Sequence, residues 1–465
     1  MQSRRDQVQA YFFEVGRLVS AVVHGRPDAL QQPNKRLNTG MFLGMIAAGV
    51  VMGIFGIYGL FVPGGDTSWR HAGAIVMNKT TGARYVYLDD HLRPVLNFAS
   101  AKLVAGKAGG QVFSVSENSL AGTPVGQPIG ISGAPDALPS TLDTGVWTVC
   151  TRSPGTEVDL LLNRPVDVAL SDAQAMLVVG PDQVKYLVWR GKRHRIPNQS
   201  AVEALGYGGI APIAVNAAWL NTLHQAKDMA VPDTPGAGGT GVTIDGRQST
   251  VGQIYQVRNP AINSDQLYLV RSDGVVALSR TAAALLLAAP GTKAAYSGSR
   301  VELIQVGPAA LAGVPNSTSG PNLMADLPQA PPEIVNPSSS AAACVGIPPQ
   351  GKGDAEVTVG LLPVNVVTGM PLALHPAGAA ADRISIPAGH GVLAKEVAAP
   401  GANPGATYLI TETGTKYPLA SPEVATALGY SDGSAVSVPA ELLALLPRGP
   451  VLSTEGALKV QAPAT

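Results

Sequence analysis

The sequence predicts an α+β protein with an N-terminal cytosolic helix, one transmembrane helix and a large exported part built from four α/β repeats. Three observations carry that expectation. They are a 22-residue apolar run near the N-terminus, four downstream segments that share one pattern in register, and two intervening segments that hold the only cysteines.

Composition sets the frame. The 465 residues include 53 Gly and 38 Pro, and only 14% are charged, against roughly a quarter in an ordinary soluble domain. The 32 Lys plus Arg balance 32 Asp plus Glu. A nucleic-acid binder needs clustered cations to displace counterions from phosphates, so nucleic acid is not an expected partner. A chain with 46% hydrophobic residues can bury cores, which excludes global disorder.

Residues 1–40 read as a cytosolic amphipathic helix and linker. Val8, Phe12, Val15, Val19 and Val22 recur at spacings of four, three, four and three, and Arg5, Glu14 and Arg17 fall off that stripe. The helix either packs on a cytoplasmic partner or lies on the membrane surface; its mixed charges favour the partner. Residues 41–62, MFLGMIAAGVVMGIFGIYGLFV, follow without a charge. At 1.5 Å per residue they make roughly 33 Å of helix, enough for the hydrocarbon core. A buried core helix or a cleaved signal peptide would be the alternatives. The run is long for a signal, however, and ends in Pro63, Gly64 and Gly65 rather than a small-residue cleavage site. Arg4, Arg5, Arg17, Arg26, Lys35 and Arg36 precede the span while only Arg70 and Lys79 follow closely, which puts the N-terminus in the cytoplasm. Gly49 and Gly53 form a GxxxG that Gly56 continues, a stripe on which another membrane helix could pack.

Beyond the membrane the chain repeats itself. YVYLDDHLRPV from Tyr85, YLVWRGKRHRI from Tyr186, YLVRSDGVVAL from Tyr268 and YLITETGTKYPL from Tyr408 each place a polar turn between apolar ends, the pattern of a β-hairpin. A β-like run precedes each: AIVMNKTTG, MLVVGPDQ, IYQVRNP and VLAKEV. Downstream of each tyrosine comes Val-x4-Leu, at Val115/Leu120, Val215/Leu220, Val306/Leu311 and Val438/Leu443, offset by 30, 29, 38 and 30 residues. The second and fourth copies also share ALGY, ending at Tyr207 and Tyr430. Such registered coincidence implies four units of about 50 residues, each a hairpin followed by short helices, with little core alone. The expected organisation is 63–124 repeat 1, 125–172 central domain first segment, 173–230 repeat 2, 231–316 repeat 3, 317–388 central domain second segment, and 389–465 repeat 4 and tail.

Cys150, in WTVC, and Cys344, in SAAACVG, fall in the two central segments, 194 residues apart. An oxidising compartment permits a bridge tying both segments into one domain; two unpaired buried thiols are the alternative.

Three catalytic-looking matches are discounted. GIPPQGKG, with Gly346, Gly351 and Lys352, resembles a P-loop, but Gly353 stands where Ser or Thr should bind Mg²⁺. GAGGTG, Gly236 to Gly241, follows PDTP instead of a strand and reads as a linker. GYSDG around Ser431 matches a nucleophile elbow, yet the equivalent position after ALGY in the second copy is Gly208. No histidine pairs with cysteine or acid at metal-ligand spacing. Lys192, Arg193, His194 and Arg195 read as a solvated hairpin tip, or else as contacts to an acidic partner or wall polymer. No catalytic residue, metal or cofactor is expected.

With YVYLDDHLRPVLNFASAKLVAG, IGISGAPDALP with WTVC, DGVVALSRTAAALL and the ALGY to LLPRGPVLSTEGAL ending assembled, nearly the whole chain resembles the EccB family, core membrane subunits of the type VII (ESX) secretion system of actinobacteria. The resemblance implies an elongated exported domain in which four repeats, each similar to a phage-lysin cell-wall-binding module, surround a central β-rich domain in a quasi-two-fold arrangement, with Cys150 and Cys344 bridged. It also implies an inner-membrane, single-pass protein that assembles with the motor ATPase EccC, with EccD and EccE, and with other EccB copies in a hexameric complex. Two readings compete with an assembly subunit. One is a membrane-anchored peptidoglycan-binding module and the other an ATP-hydrolysing component, since EccB members are often labelled ATPases.

Overall fold

A computed structural model describes residues 4–25, 34–61, 67–106, 110–152, 156–298, 300–349, 356–369, 381–399 and 402–461. It has two compact units. One holds the N-terminal helices with Asn78–Gly82 and Ser114–Thr123; the other holds Arg70–Met77, Ala83–Phe113 and the chain from Pro124 onward.

In the first unit the amphipathic stretch forms the helix Arg4–His24, whose Val8, Phe12, Val19 and Val22 are exposed. The membrane helix is longer than the apolar run suggests, Asn34–Phe61, because no proline separates its basic flank from the run. Its most apolar stretch, Arg36–Gly59, has mean hydropathy 2.1 and is not buried anywhere. Val62 lies outside the described residues.

The repeat pattern becomes topology. Each unit has a three-stranded meander whose first strand is flanked by a short fourth strand, so the order is third, second, first, fourth in all four. The first three strands are Ile75–Asn78, Arg84–Leu88 and His91–Pro94; Gln174–Val179, Lys185–Trp189 and Lys192–Ile196; Ile254–Asn259, Ser264–Arg271 and Gly274–Leu278; and His390–Val397, Thr407–Ile410 and Lys416–Pro418. The fourth are Val112–Val115, Ile213–Ala214, Ile304–Val306 and Val436–Pro439, and in repeats two to four they run parallel to the first.

Sequence explains the register. Each tyrosine lies on the second strand, and the residue after it points into a core: Val86, Leu187, Leu269 and Leu409 are all buried, as period-two alternation requires. The tight turns use left-handed pairs, Asp89 and Asp90 at φ 48° and 61°, and Arg190 and Gly191 at 48° and 68°, matching the twist of a two-residue hairpin. A helix follows each meander: Phe98–Ala105, Gln199–Ala204, Arg280–Ala288 and Pro422–Leu428. The first three start where Asn97, Asn198 and Ser279 accept the backbone N–H three residues on, satisfying an orphan donor. The Val-x4-Leu valines lie in the second half of the fourth strand or just after it, and the leucines lie in the short helical turn beyond.

The segments between repeats build one six-stranded sheet, in the order Arg383–Ser385, Val158–Leu162, Trp147–Thr151, Ala341–Ile347, Thr358–Pro363, Val168–Ala169. Each segment supplies three strands, and read outward from the middle pair both sides run first, second, third, with the outermost strand on each side coming from the other segment, a palindrome that makes the sheet quasi-two-fold. The apolar cores follow that symmetry. One core joins the central sheet (Trp147, Leu160, Val345) to repeat two (Val178, Trp219) and repeat four (Val392, Leu446). A second joins repeats two and three through Leu187, Val202, Leu269 and Leu286, and a third joins repeats one and four through Leu103, Leu409 and Leu428.

Two sequence expectations are corrected. The glycine-rich 236–241 stretch is a turn that opens a hairpin, Thr240–Ile244 with Arg247–Thr250, rather than a linker. Lys192, Arg193, His194 and Arg195 are not the hairpin tip; they form the third strand of repeat two, and His194 is buried.

Candidate functional site

The centre of the large unit is a covalent and ionic knot. Cys150 and Cys344 face each other across the middle strands and are joined by a disulfide, with a Cα separation of 4.1 Å. That is the spacing of a non-hydrogen-bonded antiparallel pair, about 4.5 Å. Both sulfurs are buried under Leu161, Ala342, Leu362 and Val367, the last from the helix Val364–Gly369. On the neighbouring strand Asp159 stands opposite Cys150. Its Oδ2 accepts from Arg152 Nε at 2.9 Å, and Arg383 Nε lies 3.5 Å from Oδ1. Arg152 also pairs with Glu157, and Arg383 donates to the Thr368 carbonyl at 2.9 Å. Burial pushes the Asp159 carboxyl above the ordinary carboxylate range, against the pull of the two guanidinium groups. Arg383 belongs to the second central segment and Asp159 to the first, so the ions repeat the tie made by the disulfide.

Repeats two and four share a second device. Arg193 Nη1 donates to the Leu220 carbonyl and to Asn221 Oδ1, both at 2.9 Å, while Lys416 Nζ donates to the Leu443 carbonyl. Each cation lies near its repeat's tyrosine ring, Arg193 at 6.0 Å from Tyr186 and Lys416 at 5.8 Å from Tyr408. A third-strand cation thus satisfies an otherwise orphaned carbonyl at a helix end. The sequence register exposes the tyrosine and leucine of this device but not its cation, which changes between Arg and Lys.

His194 faces the opposite side. Its Nδ1–H donates to the Lys227 carbonyl at 2.8 Å, and Nε2 is buried without a partner. Burial lowers its pKa, so the folded ring stays neutral where the unfolded one, near 6.5, takes a proton. The unfolded state therefore binds more protons below that value, and the stability present above pH 6.5 is lost as pH falls toward the folded pKa. In urea titrations at pH 7.5 and 5.5, His194→Gln should lose less stability on acidification than the unsubstituted chain. Identical losses would contradict this burial.

The catalytic-looking motifs do not assemble. Gly346 is the penultimate residue of the strand Ala341–Ile347, paired on both sides, to Thr148 and Thr358, and Gly353 stands where a P-loop needs Ser or Thr; Gly351 and Lys352 lie outside the described residues. Ser431 is an exposed turn residue after the left-handed Gly429. Among the described residues no three His, Cys, Asp or Glu side chains gather as metal ligands. In the membrane helix a Cβ added at Gly49, Gly53 or Gly56 would meet nothing within 4 Å.

Comparison with known proteins places this architecture. Residues 1–463 match the family described as type VII secretion system ESX-1, transport TM domain B, or EccB. The chain belongs to the EccB family. Its relatives include the "ESX-3 secretion system ATPase EccB3" of Mycolicibacterium smegmatis, 29% identical over 98% of this chain and 90% of the relative. The "ESX-2 secretion system ATPase EccB2" of Mycobacterium tuberculosis is 27% identical over 98% and 94%. Among solved structures, the EccB3 dimer from the ESX-3 core complex aligns with TM-score 0.68 and 26% identity over 83% of this chain and all of that one. A chain of the intact ESX-5 inner-membrane complex shares the fold at TM-score 0.69 and 23% identity, over 100% of this chain and 97% of that one.

Proposed function

We propose that this EccB protein is a structural and assembly subunit of a type VII (ESX) inner-membrane secretion complex. One helix is set in the membrane, and the repeats and central domain stand on the exported side, where copies of the chain meet. The observation that carries this reading is the family match along the whole chain to an architecture of anchor plus cross-linked scaffold. The names of its relatives and neighbours place them in ESX systems and show one as a dimer, which supports other EccB copies and the ESX membrane subunits, EccC, EccD and EccE, as partners. The segmentation that fits is 63–124, 173–230, 231–316 and 389–465 for the repeats and 125–172 with 317–388 for the centre.

Two independent features support a cytoplasmic N-terminus. The basic flank Lys35 and Arg36 precedes the span, and the bridge at the heart of the large unit suits an oxidising compartment. The stripe Gly49, Gly53 and Gly56 is the face we assign to helix packing in the membrane. The word ATPase in the relatives' names has no residue-level support here, since Gly353 stands where a P-loop needs Ser or Thr. Full-length protein in detergent should hydrolyse ATP no faster than its Lys352→Ala variant. Deleting the chain from its host should stop ESX export, and restoring a version without residues 1–61 should not rescue it. Export that continues after the deletion would overturn the proposal.

A further inference from the structure

We propose that the exported part is two interlocked half-chains, residues 67–230 and 231–461, and that each supplies the surface on which the other completes its fold. The halves have one design: a first repeat, a trailing segment, three strands of the central sheet, then a second repeat. The trailing segment of each half crosses to the second repeat of the other. After repeat one, the Pro139 carbonyl accepts from Tyr430 Oη of repeat four at 2.8 Å, and Thr141–Leu142 pairs parallel with His390–Val397. After repeat three, the Pro332 carbonyl accepts from Tyr207 Oη of repeat two at 2.9 Å, and Glu333–Ile334 pairs parallel with Gln174–Val179. Tyr207 and Tyr430 are the equivalent ALGY tyrosines, so the same clamp is made twice.

The helices obey the same exchange. Phe98–Ala105 of repeat one packs on Pro422–Leu428 of repeat four, and Gln199–Ala204 of repeat two packs on Arg280–Ala288 of repeat three. Among the described residues, repeat one has a small core of its own, built on Ile75, Val86, Ala101 and Ala105, and its Leu103 is buried in the core shared with repeat four. Its partner surfaces lie some 300 residues away, the two ends of one clamp being separated by 291. The repeat that follows the membrane helix in sequence therefore cannot finish folding until the last repeat has been exported. Cys150 likewise has no partner until Cys344, which belongs to the other half, has been exported.

Two measurements on the membrane-anchored full chain test this. In a Cys150→Ala/Cys344→Ala background, a protease site is inserted at Gly236–Gly238, between the halves, and cut after purification of the membranes. The anchorless C-terminal half should stay with the membranes through a salt wash; its release would overturn the proposal. With the native disulfide intact, hydrogen exchange is then compared for Tyr430→Phe and Tyr207→Phe. Tyr430→Phe should speed exchange about fivefold in Arg84–Leu88 and Phe98–Ala105 of repeat one, the loss of one hydrogen bond, and leave Ser264–Arg271 and Arg280–Ala288 of repeat three unchanged. Tyr207→Phe should do the reverse. Effects confined to the substituted repeat would also overturn the proposal.

Discussion

Removing the Cys150–Cys344 bridge by substituting both cysteines with alanine is expected to lower the unfolding free energy of the large unit by up to about 5 kcal/mol, the chain-entropy value for a loop of this size. The bridge closes 194 residues of chain and joins the middle strands of the central sheet. Opening it frees the unfolded ensemble while leaving the apolar cover of Leu161, Leu362 and Val367 in place. Alanine is the informative replacement because a serine hydroxyl would be buried there without an assured partner. Urea titration of the unsubstituted and doubly substituted chains measures the effect. A midpoint that does not move would mean that the bridge constrains nothing the sheet does not already hold.

Arg152→Ala is expected to cost about 3–5 kcal/mol at neutral pH, the range for breaking a buried ion pair on one side. Asp159 is 1% exposed and would keep only Arg383, at 3.5 Å, as its countercharge. The loss should depend on pH. Burial already raises the folded Asp159 pKa above its ordinary value, so the folded state takes up a proton before the unfolded state does as pH falls. Without Arg152 that preference grows, and the variant regains stability on acidification toward the carboxyl's folded pKa. Titrations at pH 7.5 and 5 should show a smaller deficit at the lower value; a constant deficit would assign the loss to packing rather than charge.

Legibility varied with how local the cause was. The hairpins and helices are set by neighbours in sequence: Tyr268 followed by an inward Leu269, Asp89 and Asp90 in the turn, Asn97 and Asn198 at helix starts. These signals recur at fixed offsets, so the repeats can be read without coordinates. The glycine-rich stretch before Thr240 obscures another local signal, Asp245–Gly246, whose left-handed pair at φ 53° and 71° closes the hairpin there. His194 misleads for a different reason. It sits among cations, but strand alternation turns Arg193 and Arg195 to one face and His194, opposite Leu187, to the other. The central knot is hardly legible because Asp159 and Arg383 meet from segments more than 200 residues apart, and nothing local marks Asp159 as buried. The clamps of Tyr207 and Tyr430 are half-legible: the shared ALGY marks the tyrosines, while the accepting carbonyls of Pro332 and Pro139 carry no side-chain signature.

The central claim is that the chain works as an anchored scaffold within a larger membrane machine, and native mass spectrometry after mild detergent extraction from its own host tests it most directly. The expected result is one assembly holding several copies of this chain together with the motor ATPase and the other ESX membrane subunits, dissociating when residues 1–61 are removed. A chain that leaves the membrane alone as a monomer, under conditions in which the remaining ESX subunits stay assembled, would contradict the account.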